Sequence, residues 1–253
     1  MKHQLLVSAL AMALALPSFA NTKDHPAPIK AMQERGVEIL DTFDAPSGLK
    51  GYTGIYQGRP LALYVTSDGK HALIGSLLND KAEDLTGPIL QEKVSRPQGE
   101  AFWKELETTN WIKEGSDKAD KIVYVFTDPN CPYCKRFWNS AQPWVTAGKV
   151  QLRHVVVGIL SESSQKKAGY ILTAKDKTQA LTGNESGKQP AKETALTDEM
   201  KQLLQTNMNM MQKMGANGTP AIFYKDSTGM LQMQPGMPNP EMLVQMFGEL
   251  PKK

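Results

Sequence analysis

The sequence predicts two domains: a small α+β domain and, after a linker helix, an α/β domain with a helical insertion. Three observations support this fold class. Short strand-like runs fill the first third of the chain and include a tight-turn signal, which is typical of a small antiparallel sheet. Farther along, strand patterns are separated by helical patterns, as in a sheet covered by helices. A length of 253 residues also favours two domains over one.

Residues 1–20 have the pattern of a secretory signal peptide. Lys2 supplies a positive charge, residues 5–16 are apolar, and residues 18–20 form a small-x-small cleavage site. The apolar stretch is too short for a membrane-spanning helix. We expect a mature chain that begins at Asn21 and is exported to a bacterial periplasm, where thiols meet oxidants.

Residues 21–90 are expected to form an N-terminal dimerisation domain. A short helical pattern begins near Pro26. Four strand-like runs follow, at 37–43, 49–56, 61–66 and 71–78. Between the last two runs, Asp68 and Gly69 provide the positive φ angles of a tight hairpin. A sheet of this size has a thin core and needs a partner surface, so we expect a homodimer.

Residues 91–115 are predicted to contain a linker helix, with the helical pattern clearest over 97–115. Phe102, Trp103 and Leu106 recur at helical spacing, and Gly115 is typical of a helix end. The position between two β-rich segments favours a connection between domains. The alternative is a helix packed wholly within one domain.

Residues 116–253 predict the α/β domain. Strands are expected at 121–127, 150–160, 221–224 and 230–234. Helices are expected from 131 to about 144, in a long region up to 214, and at 240–247. Residues 175–192 lack a clear period, so we expect a surface loop there within the helical insertion. Strands separated by helices predict a mixed sheet covered on both faces.

Cys131 and Cys134 are the candidate catalytic residues. They are the only cysteines of the chain, and they enclose Pro132 and Tyr133 at the start of a helical pattern. The N-terminus of a helix stabilises a thiolate, so Cys131 is the expected nucleophile. Cys134 lies one turn farther along on the same face, more deeply, and close enough to form a disulfide with Cys131. It is the expected resolving thiol.

Two other interpretations of the cysteine pair compete with redox chemistry. A structural disulfide that encloses two residues stabilises by roughly 2 kcal/mol through loop entropy, less than a disulfide that closes a long loop. A zinc site needs further ligands, but no other cysteine exists and the four histidines show no ligand spacing. A redox-active disulfide, with no metal and no other cofactor, fits the pair best.

Charge and methionine content limit other functions. The net charge is +3 and the charges are scattered, which argues against a nucleic-acid surface. Ten of the 13 methionines lie between Met200 and Met246, and thioethers can bind Cu(I). Those before residue 215 mostly form one helical stripe with leucines, which favours core packing over copper binding. Met210 lies off the stripe and is a candidate to line a surface for unfolded clients.

Residues 215–220 have the sequence Gly-Ala-Asn-Gly-Thr-Pro and precede a strand pattern. With a strand, a CxxC at a helix start, and a Thr-Pro before a strand pair and a last helix, the second half resembles the thioredoxin superfamily. In that superfamily the proline is cis and its loop faces the dithiol. The resemblance therefore implies a thioredoxin-like catalytic domain in which Thr219 and Pro220 contact Cys131 and the substrate, beside Pro132 and Tyr133.

Four motifs resemble one family within that superfamily, the DsbC/DsbG periplasmic disulfide isomerases. They are FTDPNCPYCK at 126–135, GKVQLR at 148–153, TFDAP at 42–46 and SDGKHA at 67–72. Pro132 and the absence of a further cysteine pair resemble the DsbG branch. The resemblance runs from about residue 26 to the C-terminus and is weakest at 182–195.

Acidic residues near the dithiol differ from the thioredoxin pattern. Thioredoxins carry a buried acid six positions before the nucleophile, whereas this chain has Val125 there. A proton relay from that position is therefore not expected. Asp128 lies nearer, and we expect a solvated loop acid that raises the thiol pKa slightly, offset by Lys135 and Arg136.

The family resemblance implies a periplasmic thiol-disulfide oxidoreductase that acts on protein cysteines. Its expected activities are isomerisation of wrong disulfides in misfolded proteins and reduction of sulfenic acids on single cysteines. The resemblance also implies a clefted homodimer and a membrane reductase of the DsbD type as electron donor. Two alternatives are a DsbA-like disulfide oxidase, which is monomeric and disulfide-loaded, and a chaperone-like protein that binds unfolded clients.

Overall fold

The structure, a computed structural model, describes residues 25–251. The expected signal peptide lies outside the described residues. Two compact units are separated between Ser76 and Leu77. The domain boundaries expected from the sequence, at residues 90 and 115, stay a prediction. No helix within residues 25–251 is long and apolar enough to cross a membrane.

Over residues 25–76, the part that the structure describes, the first unit contains one helix and a four-stranded antiparallel sheet of order β1-β2-β3-β4. Its elements are α1 (Ala27–Glu34), β1 (Glu38–Asp44), β2 (Lys50–Tyr56), β3 (Arg59–Val65) and β4 (Ala72–Ile74). The expected hairpin joins β3 to β4, and Gly69 in its turn has a φ of +70°. Ile29, Tyr52 and Leu63 are buried together and form the small core of helix and sheet.

The second unit contains a five-stranded sheet of order β5-β7-β6-β8-β9. Its strands are β5 (Trp111–Glu114), β6 (Lys121–Thr127), β7 (Val150–Val156), β8 (Ala221–Lys225) and β9 (Leu231–Pro235). The central strand, β6, pairs in parallel with β7 and antiparallel with β8. The mixed sheet expected from the sequence is therefore confirmed.

Helices cover both faces of this sheet. The helices of this unit are α2 (Gly87–Leu90), α3 (Arg96–Leu106), α4 (Pro132–Thr146), α5 (Glu162–Thr173), α6 (Lys177–Glu185), α7 (Asp198–Lys213) and α8 (Pro240–Phe247), with a π-helical turn, Gln91–Ser95, between α2 and α3. Val123 and Val125 of β6 lie in a core with α4 and α8, whereas Tyr124 and Phe126 lie in a core with α3 and α7. Burying a side chain of this size contributes about 1.5–3 kcal/mol, so the loop after β6 starts from a firmly held strand.

The helix predicted over 97–115 is wrong at both ends. The helical segment begins earlier, at Gly87, and α3 ends at Leu106, where the Thr109 hydroxyl donates to the Leu106 carbonyl at 2.7 Å. The Asn110 N–H donates to the Asn207 side chain, and residues 111–114 then pair with β7 as β5. The end of the expected linker is thus an edge strand of the second unit.

Other boundaries also differ from the sequence prediction. The strand expected over 150–160 ends at Val156, because the Ile159 and Leu160 N–H groups donate to Asp128 and to no neighbouring strand. The long helical region consists of three helices. The expected loop at 175–192 contains α6, which Asp176 caps by accepting from the Gln179 N–H. Met210 is half-buried and packs against the core, and its role at a surface for clients stays a prediction.

Candidate active site

Cys131 lies where β6 gives way to α4. It is the N-cap residue of α4, and Pro132 is the first residue of the helix, a position at which the missing N–H of proline removes no helical bond. The Cys131 N–H donates to the Asp128 carbonyl at 2.9 Å. Cys134 follows one turn later. Both cysteines are free thiols, 3% and 1% exposed respectively, so Cys134 is the deeper of the two.

The environment of Cys131 favours a thiolate. The pKa of Cys131 is lowered from 9.0 to about 6, chiefly because the Cys134 thiol donates a hydrogen bond to it. Thr219 and the backbone N–H groups of Cys134 and Tyr133 stabilise the thiolate further, while burial opposes it. Cys131 is therefore mostly ionised at neutral pH, which is the form that attacks sulfur.

Cys134 has the opposite character. Burial raises the pKa of Cys134 above its usual range, and the Cys131 thiolate raises it further. Hydrogen bonds from Thr127 and the Asp128 backbone oppose these effects without reversing them. Cys134 thus remains a thiol that donates to its neighbour, which is the asymmetry that an attacking and a resolving cysteine require.

The Thr219–Pro220 loop lies against the dithiol. The peptide bond between these residues is cis, which confirms the conformation that the thioredoxin resemblance implies. The Cys131 sulfur lies 3.3 Å from the Thr219 carbonyl oxygen. The buried Thr219 hydroxyl has no hydrogen-bond partner within residues 25–251, so it is available to donate to a Cys131 thiolate. The Pro220 carbonyl accepts from the Gly236 N–H at 2.8 Å, which ties the loop to the end of β9.

Asp128 corrects the sequence prediction. It was expected to be a solvated loop acid, but it is 0% exposed. Its Oδ1 accepts from the Asn130 N–H at 2.9 Å, and its Oδ2 accepts from the Ile159 and Leu160 N–H groups at 2.9 and 3.1 Å. A carboxylate with three backbone donors is stable when buried, because the donors replace its hydration. Asp128 therefore joins the active-site loop to the segment after β7.

Two asparagines fasten the same loop. Asn130 donates to the Ser163 and Ser164 hydroxyls at 3.1 and 3.2 Å and accepts from Lys167 Nζ at 2.9 Å. Asn184, at the end of α6, donates to the Pro129 carbonyl at 3.0 Å. The helical insertion thus holds the backbone that leads to Cys131.

A buried polar cluster fixes α4 to the sheet. Glu114 of β5 accepts from Trp138 Nε1 and Gln142 Nε2 of α4, and its Oε2 lies 2.8 Å from His154 Nε2 of β7. Burial raises the pKa of Glu114. The hydrogen bond and charge of His154, together with the two donors on α4, outweigh burial, so the pKa of Glu114 lies below its ordinary value. The cluster sets the position of the helix that carries both cysteines.

Sequence reasoning brought together Cys131, Cys134, Thr219 and Pro220, and the structure places them together. Tyr133 is 53% exposed beside them, and Pro132 is also exposed. Sequence reasoning missed the residues that hold the active-site residues in place. They are Asp128 in its buried role, Asn130, Asn184, Glu114 and His154. The one available signal was polar residues at the ends of strands and helices. Within the described residues no three or more His, Cys, Asp or Glu side chains cluster to hold a metal.

Comparisons with known proteins agree with this geometry. A family model described as a thioredoxin-like domain matches residues 110–251. The thiol:disulfide interchange protein DsbG of Pseudomonas aeruginosa is 41% identical over 250 residues, covering 97% of this chain and 98% of that protein. DsbG of Escherichia coli is 40% identical over 248 residues, covering 96% and 99%.

A solved structure shares the fold. The catalytic domain of Proteus mirabilis ScsC matches with a TM-score of 0.50 and 24% identity, covering 60% of this chain and 96% of that chain. At this identity the likeness shows the thioredoxin-like fold alone.

Proposed function

Because this chain belongs to the DsbG family of thiol:disulfide interchange proteins, we propose that it acts on protein cysteines in the periplasm, as a disulfide isomerase and a reductase of sulfenylated single cysteines. The observation that carries the proposal is the pairing of a thiolate-favouring Cys131 with a buried, protonated Cys134. Such a pair attacks oxidised sulfur and then resolves the product.

Isomerisation uses the dithiol form. The Cys131 thiolate attacks one sulfur of a client disulfide, a mixed disulfide forms, and the other client sulfur leaves as a thiolate. Attack of a client thiolate on the mixed disulfide releases Cys131 with a new client pairing and no net electron transfer. If Cys134 loses its proton and attacks Cys131 instead, the client is reduced by two electrons and the Cys131–Cys134 disulfide forms.

Reduction of a sulfenic acid follows the same two steps. The Cys131 thiolate attacks the sulfur of the client sulfenic acid, and the hydroxide that leaves takes up a proton to become water. Cys134 then resolves the mixed disulfide. The client cysteine returns to a thiol, and the dithiol of the protein is oxidised. No cofactor beyond this redox-active pair is needed.

The surface beside the dithiol suits apolar client segments. Tyr133, Ile159 and Leu160 are 53%, 40% and 54% exposed, and we call these three residues the apolar rim. Asp128 holds the backbone of both Ile159 and Leu160, so the rim is fixed to the active-site loop. Exposed apolar side chains around a reactive group favour clients whose cysteines lie among residues that are buried in the folded state.

The first unit supports a homodimer. Leu73 and Ile74 of β4 are 56% and 58% exposed. β4 pairs with β3 along one edge, and no strand within residues 25–251 pairs with its other edge. An exposed apolar edge strand is a template for pairing with another chain, and we propose that a second copy of this chain covers it.

Export and re-reduction complete the proposal. Residues 1–20 carry a signal-peptide pattern, which supports export to the periplasm. Because that compartment is oxidising, the dithiol needs an electron donor, and a DsbD-type membrane reductase is the donor that the family resemblance implies.

The redox state of the dithiol in cells tests the proposal. Acid quenching followed by alkylation of free thiols should show Cys131 and Cys134 mainly reduced, and loss of the membrane reductase should oxidise them. A disulfide in unperturbed cells contradicts an isomerase or reductase and supports the DsbA-like oxidase. Full client protection by a Cys131→Ser, Cys134→Ser variant supports the chaperone instead.

A further inference from the structure

Glu185 is a buried carboxyl group next to the active-site loop. It is the last residue of α6, is 2% exposed, and follows Asn184, which binds the Pro129 carbonyl two residues before Cys131. Its Oε1 accepts from Asn184 Nδ2 at 3.4 Å, and its Oε2 has no hydrogen-bond partner among the described residues. Asp128, in contrast, has three backbone donors. A buried carboxylate with so few donors is costly to ionise.

The charges on α4 and β5 act on Glu185 in different directions. Lys135 of α4 favours the carboxylate, whereas the Cys131 thiolate at the start of α4 and Glu114 of β5 disfavour it. The end of a helix also carries a negative partial charge, which disfavours a carboxylate there. With burial as the largest cause, the pKa of Glu185 is raised from 4.5 to about 8.

Apart from Lys135, the cations on neighbouring segments are engaged elsewhere or exposed. α5 also packs against α6, and its Lys166 pairs with Glu162 while its Lys167 binds Asn130. The segment after α6 carries exposed charged residues, namely Lys188, Lys192 and Glu193. The net surroundings of Glu185 therefore leave it a neutral acid at neutral pH while Cys131 is charged.

We propose that Glu185 is a positioning residue for the Cys131 thiolate, holding a proton while Cys131 is charged and releasing it when the Cys131 sulfur enters a disulfide. The inference rests on the proposed function, since it concerns the proton balance of the same dithiol. Coupling between two titrating groups is reciprocal. A protonated Glu185 thus leaves the Cys131 charge unopposed, and loss of that charge makes Glu185 easier to ionise.

The proton that Glu185 releases has a defined use. When Cys131 attacks a client disulfide, one S–S bond forms, one breaks, and the negative charge moves to the departing client sulfur. Loss of the Cys131 charge lowers the pKa of Glu185, and the proton that Glu185 then releases more readily balances part of the new negative charge. When Cys131 attacks a sulfenic acid, the proton balances the departing hydroxide to give water. Glu185 itself does not need to contact the client.

A carboxyl titration tests the inference on the full chain. Glutamate ¹³C-carboxyl resonances are followed with pH in the reduced and oxidised protein, and Glu185→Gln assigns the signal. We expect a midpoint near 8 in the reduced protein and a lower midpoint in the oxidised protein. Equal midpoints in the two states, or a midpoint of an ordinary glutamate in the reduced protein, overturn the inference.

The pH dependence of the redox equilibrium gives a second readout. The equilibrium constant for reduction by glutathione is measured from pH 6 to 9 for wild type, Glu185→Gln and the control Glu199→Gln, which alters an exposed acid of α7. The equilibrium constant of the wild type, divided by that of Glu185→Gln, should fall as pH rises, by at most about tenfold per pH unit. The reason is that reduction of the wild type takes up extra protons at Glu185. The ratio of wild type to Glu199→Gln should stay flat.

A flat ratio for Glu185→Gln contradicts the inference. Isomerisation of scrambled ribonuclease by the wild type tests the proposed function separately. If the wild type fails to isomerise the ribonuclease and reduces no sulfenylated client, the proposed function fails, whereas the titration still decides the role of Glu185.

Discussion

The Cys131 sulfur lies 3.3 Å from the carbonyl oxygen of Thr219, a residue 88 positions later in the chain. As a thiol, Cys131 donates to this carbonyl. As a thiolate it cannot, and the charge depends on donors: the Cys134 thiol, the Thr219 hydroxyl and the first N–H groups of α4.

Replacing Thr219 with valine should raise the Cys131 pKa. The valine keeps the shape of threonine but removes the hydroxyl that stabilises the thiolate, and one hydrogen bond to a charged group corresponds to a shift of about one pH unit. Thiolate absorbance as a function of pH measures the change. Thr228→Val, in an exposed turn, is the control and should leave the titration unchanged. If the titration midpoint of Cys131 is unchanged in Thr219→Val, the Thr219 hydroxyl does not contribute to the low pKa, and the Cys134 thiol and the backbone N–H groups account for it.

Asp128→Asn should destabilise the protein by about 1–3 kcal/mol. An amide has one acceptor oxygen, so its NH₂ group must face at least one of the three backbone N–H groups that the carboxylate now binds. Guanidinium unfolding measures the loss. Asp120→Asn removes an exposed acid 3.8 Å from Lys149 and should change stability by less than about 0.5 kcal/mol. Equal stability of the two variants contradicts a structural role for Asp128.

Leu160→Ser should weaken capture of protein clients. The change removes an exposed apolar side chain of the rim without touching the thiols, so reaction with a small aromatic disulfide should keep its rate. Mixed disulfides with unfolded proteins, trapped on a Cys134→Ala background, should decrease several-fold. Leu250→Ser, which alters an equally exposed leucine, is the control. If both variants trap clients as well as the wild type does, the apolar rim does not bind clients.

Charges on the β4 edge should produce a monomer. Leu73→Lys with Ile74→Lys places two cations on the proposed contact strand, and sedimentation should show a halved mass with unchanged thiol titration. Leu40→Lys, on the opposite edge strand β1, is the matched control and should remain dimeric. A dimer in the β4 variant shows that another surface joins the two copies.

The sequence predicted the elements with strong local signals. β6 and α8 occupy the expected residues, because β6 is a continuous apolar run and α8 combines an Asn239 cap with a first-position proline. The start of α4 was also correct, since a helix that begins after Cys131 follows from the change of period there. These signals depend only on residues that are close together in the sequence, so they can be recognised without the structure.

The missed features depend on distant partners. β5 is four residues long and is recognisable only through its pairing with β7, and α6 has little apolar periodicity. The burial of Asp128 depends on N–H groups at residues 159 and 160, 31 and 32 positions away. The sequence showed an acid before the cysteines but not the donors that allow it to be buried.

The rate of alkylation at each cysteine of the reduced wild type, resolved by mass spectrometry from pH 4 to 9, shows directly whether Cys131 is the nucleophile. We expect Cys131 to react first, with a rate that rises as pH increases through about 6, because the thiolate is the reacting form. Cys134 should stay protected across this range. Equal rates at the two cysteines, or a Cys131 midpoint near the ~8.5 of a free thiol, contradict the assignment of Cys131 as the nucleophile.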